Sequence, residues 1–176
     1  MIKDIISNFR KLLKNKVLIL VVIALILRII PAIYTPFSAD MRLYEMVGYP
    51  LLAGHSPYEL RTDAYSYPPL WMWAEAGGVW FSEFFQIPFQ IIIKIPLIIS
   101  DSIVVLLIYM MAKKYGHKSA FLLGIFYALN PVSIIITSFH GQFDTLMLLM
   151  ILLAVYTFKW TRWWVSPLFL GISIAL

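Results

Sequence analysis

The stretch Pro68-Pro69-Leu70-Trp71-Met72-Trp73-Ala74-Glu75-Ala76-Gly77-Gly78-Val79-Trp80-Phe81-Ser82-Glu83-Phe84-Phe85 decides the topology of the chain. It is apolar and aromatic enough to resemble a membrane segment. It also holds Glu75, Glu83 and the Gly77-Gly78 pair, so hydropathy alone leaves open whether it crosses. The flanking charges close the question. Lys113, Lys114 and Lys118 follow the next long apolar run and belong on the cytoplasmic side, like the basic N-terminus carrying Lys3, Arg10, Lys11, Lys14 and Lys16. Only one span can then reverse direction between Tyr34 and Ile91, so residues 68–85 are expected not to cross.

Working outward, residues 17–34 form the first span, and 91–111, 120–138, roughly 144–158 and the run from Trp163 supply the others, about five in all. The expected fold is therefore an all-α, polytopic transmembrane protein with a cytoplasmic N-terminus. A cleaved signal peptide competes for the first run, with Pro36-Phe37-Ser38-Ala39 as its cleavage region. The run's length, Arg28 within it and the later spans favour retention. Residues 1–16 place Ile5, Ile6, Phe9, Leu12 and Leu13 at helical spacing among the cations, as a basic amphipathic helix on the cytoplasmic surface does. The first outer loop spans 35–90, with interfacial helices expected at 41–53 and 70–85. Trp71, Trp73 and Trp80 suit that depth, as Trp160, Trp163 and Trp164 suit the inner boundary. A short second outer loop sits around 140–144.

With this topology, ten of the fourteen Lys and Arg residues lie inside, whereas Asp40, Glu45, Glu59, Asp63, Glu75, Glu83 and Asp144 lie outside. Composition agrees: 61% hydrophobic and 13% charged residues, against about 25% charged in soluble domains, exceed what a water-soluble core absorbs. A formal charge of +5 does not point to nucleic acid, because the cations cluster at the ends of apolar runs, where anionic lipid and membrane orientation account for them. The chain has no cysteine, which removes disulfides, thiolate metal sites and thiol nucleophiles. No repeat or low-complexity tract divides residues 1–176, which are expected to form one partial membrane module. Its last apolar run, 163–176, is short for a span, so the chain is expected to continue in a longer protein.

Asp40 follows the first span directly. A carboxylate at the membrane boundary, partly shielded from water, suits a general base, while the plainer role is the N-cap of the helix that begins beside it. His140-Gly141-Gln142-Phe143-Asp144 is a second polar cluster on the same side. Its i,i+4 His/Asp spacing, if helical, puts both side chains on one face, where they could hold a metal, orient an imidazole or bind phosphate. Capping by Asp144 is the alternative. Tyr67-Pro68-Pro69-Leu70 turns the chain into the second interfacial helix, with proline in the first turn, and Tyr67, like Tyr58, has a hydroxyl to offer a phosphate. Arg28, Lys94 and Asp101 are ionisable residues in or near spans, where charge is costly and marks interior or functional positions. Lys94 and Asp101 share a helix face but stand ~10 Å apart along it, so Asp101 needs another partner. Lys94 and Arg28 have the length to snorkel outward. Asn130-Pro131 is expected to kink the third span.

Asp40 after the first span, Ser56-Pro57-Tyr58-Glu59, Tyr67-Pro68-Pro69-Leu70, Lys94-Ile95-Pro96-Leu97 through Asp101, Asn130-Pro131 and His140-Gly141-Gln142-Phe143-Asp144 occur in that order. Together they resemble the N-terminal part of a GT-C glycosyltransferase, of the type that uses polyprenyl- or dolichyl-phosphate mannose or glucose. The resemblance implies a hexosyltransferase active site on the non-cytoplasmic face, with Asp40 as catalytic base. It implies a polyprenyl-phosphate-sugar donor and a glycan, lipid-linked or protein acceptor. Tyr67, Gln142 and Asp144 would line the site, and His140, Arg42 and Arg28 are the candidates for charge on the departing phosphate. No Asp-x-Asp pair surrounds Asp40, so a divalent metal is compatible but not indicated, and no other cofactor is implied. The location would be the plasma membrane in a prokaryote or the endoplasmic reticulum membrane in a eukaryote. A transporter or flippase is the competing class, motivated by the three charges in or near spans. A non-catalytic fragment or accessory subunit is the third.

Overall fold

A computed structural model gives the architecture and describes residues 15–35, 38–56, 58, 67–160 and 162–176. The amphipathic helix expected over 1–16 lies outside them apart from its last two residues, as do Pro57 and Glu59. The described residues form helices and no strand. In order these are α1 (Lys16–Tyr34), α2 (Ala39–Leu52), α3 (Pro69–Phe85), α4 (Phe89–Lys114), α5 (Ala120–Ala128), α6 (Pro131–Ile134), α7 (Asp144–Trp160) and α8 (Ser166–Ala175). A π-helical turn, Ile135–His140, continues α6, and a single 3-10 turn, Trp163–Val165, precedes α8.

Two helices, α1 with 19 residues and α4 with 26, are long and apolar enough to cross a membrane. The pair α5 and Pro131–His140 makes a third if its 44° bend is taken as one broken span. The bend sits where expected, because Pro131 has no N–H to continue the ladder and Asn130 opens the next helix, its side chain accepting from Val132 N at 3.0 Å. The stretch 68–85 is helical but, at 17 residues, shorter than these candidates. α7, also 17 residues, measures about 25 Å at ~1.5 Å per residue, under the ~30 Å of a hydrocarbon core.

α4 is the central helix: 56% of its most apolar stretch is buried, against 17% for α1. Its outward face still carries Ile91, Ile95, Ile99 and Ile103 at i,i+4 spacing, each more than one-third exposed. α1 exposes Ile26, Ile29, Ile30 and Ile33 likewise. Aliphatic stripes of this length are costly in water and compatible with a lipid bilayer. Charge is segregated along the bundle. Lys16 lies over Phe121, Lys114 over Tyr156 and Lys159 over Tyr115, which gathers the basic residues at one end. Asp40, Glu45 and Asp144 belong to the other.

α2 packs closely on α3 because Gly48 presents no side chain. A Cβ there would stand 2.7 Å from Val79 Cγ2 and 2.9 Å from the carbonyl oxygen of Glu75. Backbone cannot yield as a flexible side chain does. Gly48→Ala is expected to cost about 1–3 kcal/mol through overpacking. Gly77→Ala, whose Cβ meets nothing within 4 Å, should gain up to about 1 kcal/mol from helix propensity. Thermal melts followed by circular dichroism in detergent would compare the two, and a harmless Gly48→Ala would refute the close approach.

Candidate functional site

The loop after α1 and the turn before α7 meet although they are about a hundred residues apart. Thr35 Oγ1 donates to Pro31 O at 2.7 Å and Ser138 O at 3.3 Å, tying the end of α1 to the π-helical turn. Ser38 then caps α2: its Oγ accepts from Met41 N at 3.2 Å and donates to the carbonyl of His140 at 2.6 Å. Asp40 is therefore not the N-cap that the plainer sequence reading made it. It lies in the first turn of α2, half-buried, and its Oδ2 accepts from Gln142 Nε2 at 2.9 Å.

Gly141 makes that contact geometrically available. Its φ of 71° ends the π-helical turn in the left-handed region, and the next residue's N–H returns to Ile136 O at 3.0 Å. A Cβ there would stand 3.0 Å from Met41 Sδ, so the turn also lies directly on α2. This break overturns the one-face reading of His140 and Asp144. They stand on different helices, His140 ending one and Asp144 opening α7, and both side chains are exposed. Asp144 is placed in a first turn, where the helix dipole favours an anion.

Beneath Asp40 lies a box of four rings. Trp71 stacks on Phe143 at 4.6 Å, Tyr44 meets Trp71 edge-on at 5.3 Å, and Tyr67 meets Phe143 at 5.1 Å and Tyr44 at 5.8 Å. Tyr44 and Trp71 are sealed from solvent, while Tyr67 is half-buried at the rim. Glu75, one turn beyond Trp71 on α3, is wholly buried. Sequence reading gave neither Tyr44 nor Glu75 a role. Trp71-x-x-x-Glu75 on one face of a helix beside α2 was the available signal.

Burial raises the pKa of Tyr44 well above the ordinary phenol value, and Tyr67, Asp40 and Glu75 push the same way. Tyr67 is raised too, by burial and then by Asp40. A phenol whose folded pKa is raised contributes stability below its unfolded pKa of about 10 and loses it as pH rises further. Stability should therefore fall above about pH 10, and Tyr44→Phe should remove much of that fall. Absorbance titration of phenolate alongside thermal melts measures it; an unshifted phenolate titration at Tyr44 would refute the raised pKa.

The structure thus brings together Asp40, Gln142 and Tyr67, with Asp144 close enough for its charge to act on Tyr67. It holds Arg28 apart from them. Arg42 is exposed on α2 two positions beyond Asp40, about 200° around the helix. Arg28 neither snorkels nor joins the cluster: it is wholly buried and bonds Asp101 Oδ2 through Nε at 2.5 Å. That pair answers the expectation that Asp101 needs a partner other than Lys94. Lys94 does not snorkel either. Buried between α1 and α4, it donates to Ala32 O at 3.3 Å and to Thr35 O, capping the carbonyl end of α1. Among the described residues, no three His, Asp or Glu side chains are grouped to hold a metal ion. A groove of about 610 Å³, lined by Gly77, Gly78, Phe81, Phe85, Ile92 and Pro96 among others, runs between α3 and α4.

The arrangement defines a half-buried carboxylate oriented by an amide, over an aromatic floor, at the acidic end of a helical bundle with two helices of membrane-crossing length among the described residues. No protein-family model, curated protein or solved structure matches the chain.

Proposed function

We propose that this chain carries the base and the second substrate loop of a membrane-embedded, inverting GT-C-type glycosyltransferase. The observation that supports it most is the Gln142 to Asp40 hydrogen bond, which joins the two polar motifs singled out in the sequence. In this reading α1, α4, the bent pair, α7 and α8 cross the bilayer with the N-terminus inside, and α2 and α3 lie at the outer interface. An acceptor hydroxyl attacks the anomeric carbon of a hexose held on a polyprenyl phosphate. Its new C–O bond forms as the bond to phosphate breaks, its proton passes to Asp40, and the lipid phosphate leaves. Gln142 holds the carboxylate toward the acceptor. His140 and Arg42, both exposed, are the side chains proposed to meet the departing phosphate, Arg28 being bonded to Asp101. The apolar groove between α3 and α4 offers surface for the prenyl chain.

The test is hexose transfer from synthetic polyprenyl-phosphate mannose or glucose by the intact protein in lipid. Release of polyprenyl phosphate coupled to acceptor glycosylation is the expected result. A folded protein that turns over no such donor would overturn the reading. The transporter alternative draws no support from Arg28 and Asp101, whose polar atoms are spent on each other and on neighbouring helices.

A further inference from the structure

The end of the bundle opposite Asp40 carries Lys16, Lys113, Lys114, Lys118, Lys159 and Arg162. No carboxylate among the described residues is there to match them. Glu45 is held by Gln90 at the far end of α4, at 3.3 Å, and Asp101 is committed to Arg28 halfway along. Glu75 and Glu83 sit on α3, which packs against the first turns of α4 through Gly78 and Phe89. Asp40 and Asp144 both lie near Tyr67, at the opposite end.

Within this cationic end, Lys114 and Lys159 converge on one indole. Lys114 Nζ lies 5.6 Å from the Trp160 ring centre and 4.7 Å from that of Tyr156. Lys159 Nζ lies 5.6 Å from the same Trp160 ring and 4.3 Å from Tyr115, whose hydroxyl accepts its proton at 2.7 Å. Tyr115 closes edge-on against Trp160 at 4.9 Å. Two like charges are thus fixed against one ring by aromatic faces, and Tyr115 uses only one of the three donors of Lys159. Both ammonium groups keep donors for an anion at this end of the bundle.

Depth selects the anion. α4 has 26 residues, about 39 Å at ~1.5 Å per residue, so its end passes the ~30 Å hydrocarbon core and reaches headgroup level. Trp160, Trp163, Trp164 and Tyr115 together form the amphipathic belt of such a boundary. α7 exposes Ile151, Val155 and Phe158 as an apolar stripe leading from the core to this end. We infer that Lys114 and Lys159, framed by Trp160 and Tyr115, bind the phosphodiester of an anionic phospholipid in the adjacent leaflet, its acyl chains lying along α7. This binding does not depend on what chemistry Asp40 performs.

Native mass spectrometry of the intact protein, released from neutral detergent after titration with phosphatidylglycerol or phosphatidylcholine, tests it. Phosphatidylglycerol should be retained preferentially, and K114Q/K159Q should lower its retention on the order of tenfold or more. Phosphatidylcholine retention should stay unchanged, and K114R/K159R should restore phosphatidylglycerol binding. K113Q/K118Q, with the same charge change nearby, is the local control and should lose little. Equal retention of the two lipids by the wild type would overturn the inference, as would an equal loss in the control, which would mean diffuse charge. Displacement of the lipid by excess inorganic phosphate would overturn the lipid assignment. The substituted positions are exposed, and an unchanged melting curve establishes that each variant folds.

Discussion

Replacing Asp101 with leucine is expected to destabilise the protein by about 3–5 kcal/mol, the cost of stranding a buried cation without its partner. Arg28 Nη1 donates at 3.2 Å both to Ala24 O and to Ala128 O, and Nη2 donates to Ser133 Oγ at 3.1 Å. Asp101 in turn receives Ser133, Thr137 and, at 2.9 Å, Tyr127. The Ala128 contact explains the placement. Val132 N, which would bond Ala128 O in an unbroken helix, bonds Asn130 Oδ1 instead, and Arg28 supplies the carbonyl with a replacement donor. Arg28→Lys should therefore fail to rescue, because one ammonium cannot reproduce four differently directed bonds. The double variant R28M/D101L should recover most of the loss, since an apolar pair of similar volume carries no uncompensated charge. Denaturation in mixed micelles, analysed as a double-mutant cycle, measures the coupling. Additive losses would show that the pair does not act as a unit.

Asp40→Asn is expected to lower transfer from a polyprenyl-phosphate hexose by about 10²–10⁴-fold in kcat, the usual contribution of a general base. Donor KM should move little, because in the proposed reaction the carboxylate acts on the acceptor proton. An asparagine retains the size to pair with Gln142 and is not needed as the helix cap, which Ser38 provides. The melting curve should stay where it is. Turnover unchanged within a few-fold would remove Asp40 from the reaction. Loss of turnover together with a collapsed melt would assign it a structural role instead.

Much of the helical layout was legible because charge and apolar period act locally. The helix over Pro69–Phe85, Pro69 in its first turn and the bend at Pro131 all follow from residue type and neighbours. Side-chain partners were not legible, because they depend on how helices far apart in sequence are rotated. Arg28 and Lys94 both had the reach to snorkel, and only the docking of α1 on α4 turns them inward. His140 and Asp144 had helical spacing, and a single glycine in the left-handed region parted them. Asp40 looked like a cap because it precedes an amphipathic run. Ser38, two residues earlier, takes that role and leaves the carboxylate to Gln142.

The Arg28–Asp101 pair also constrains how the protein is made. Its members are separated by 73 positions. At roughly 5–20 residues per second, α1 waits on the order of 4–15 s before its counter-ion emerges from the ribosome, and longer before Ser133 follows. During that interval the Arg28 guanidinium lacks the carboxylate that holds it in the folded protein. In the membrane-embedded reading proposed above, α1 is then sheltered by the insertion machinery or sits shallow in the bilayer until α4 arrives, so the order of synthesis becomes part of how this helix finds its depth.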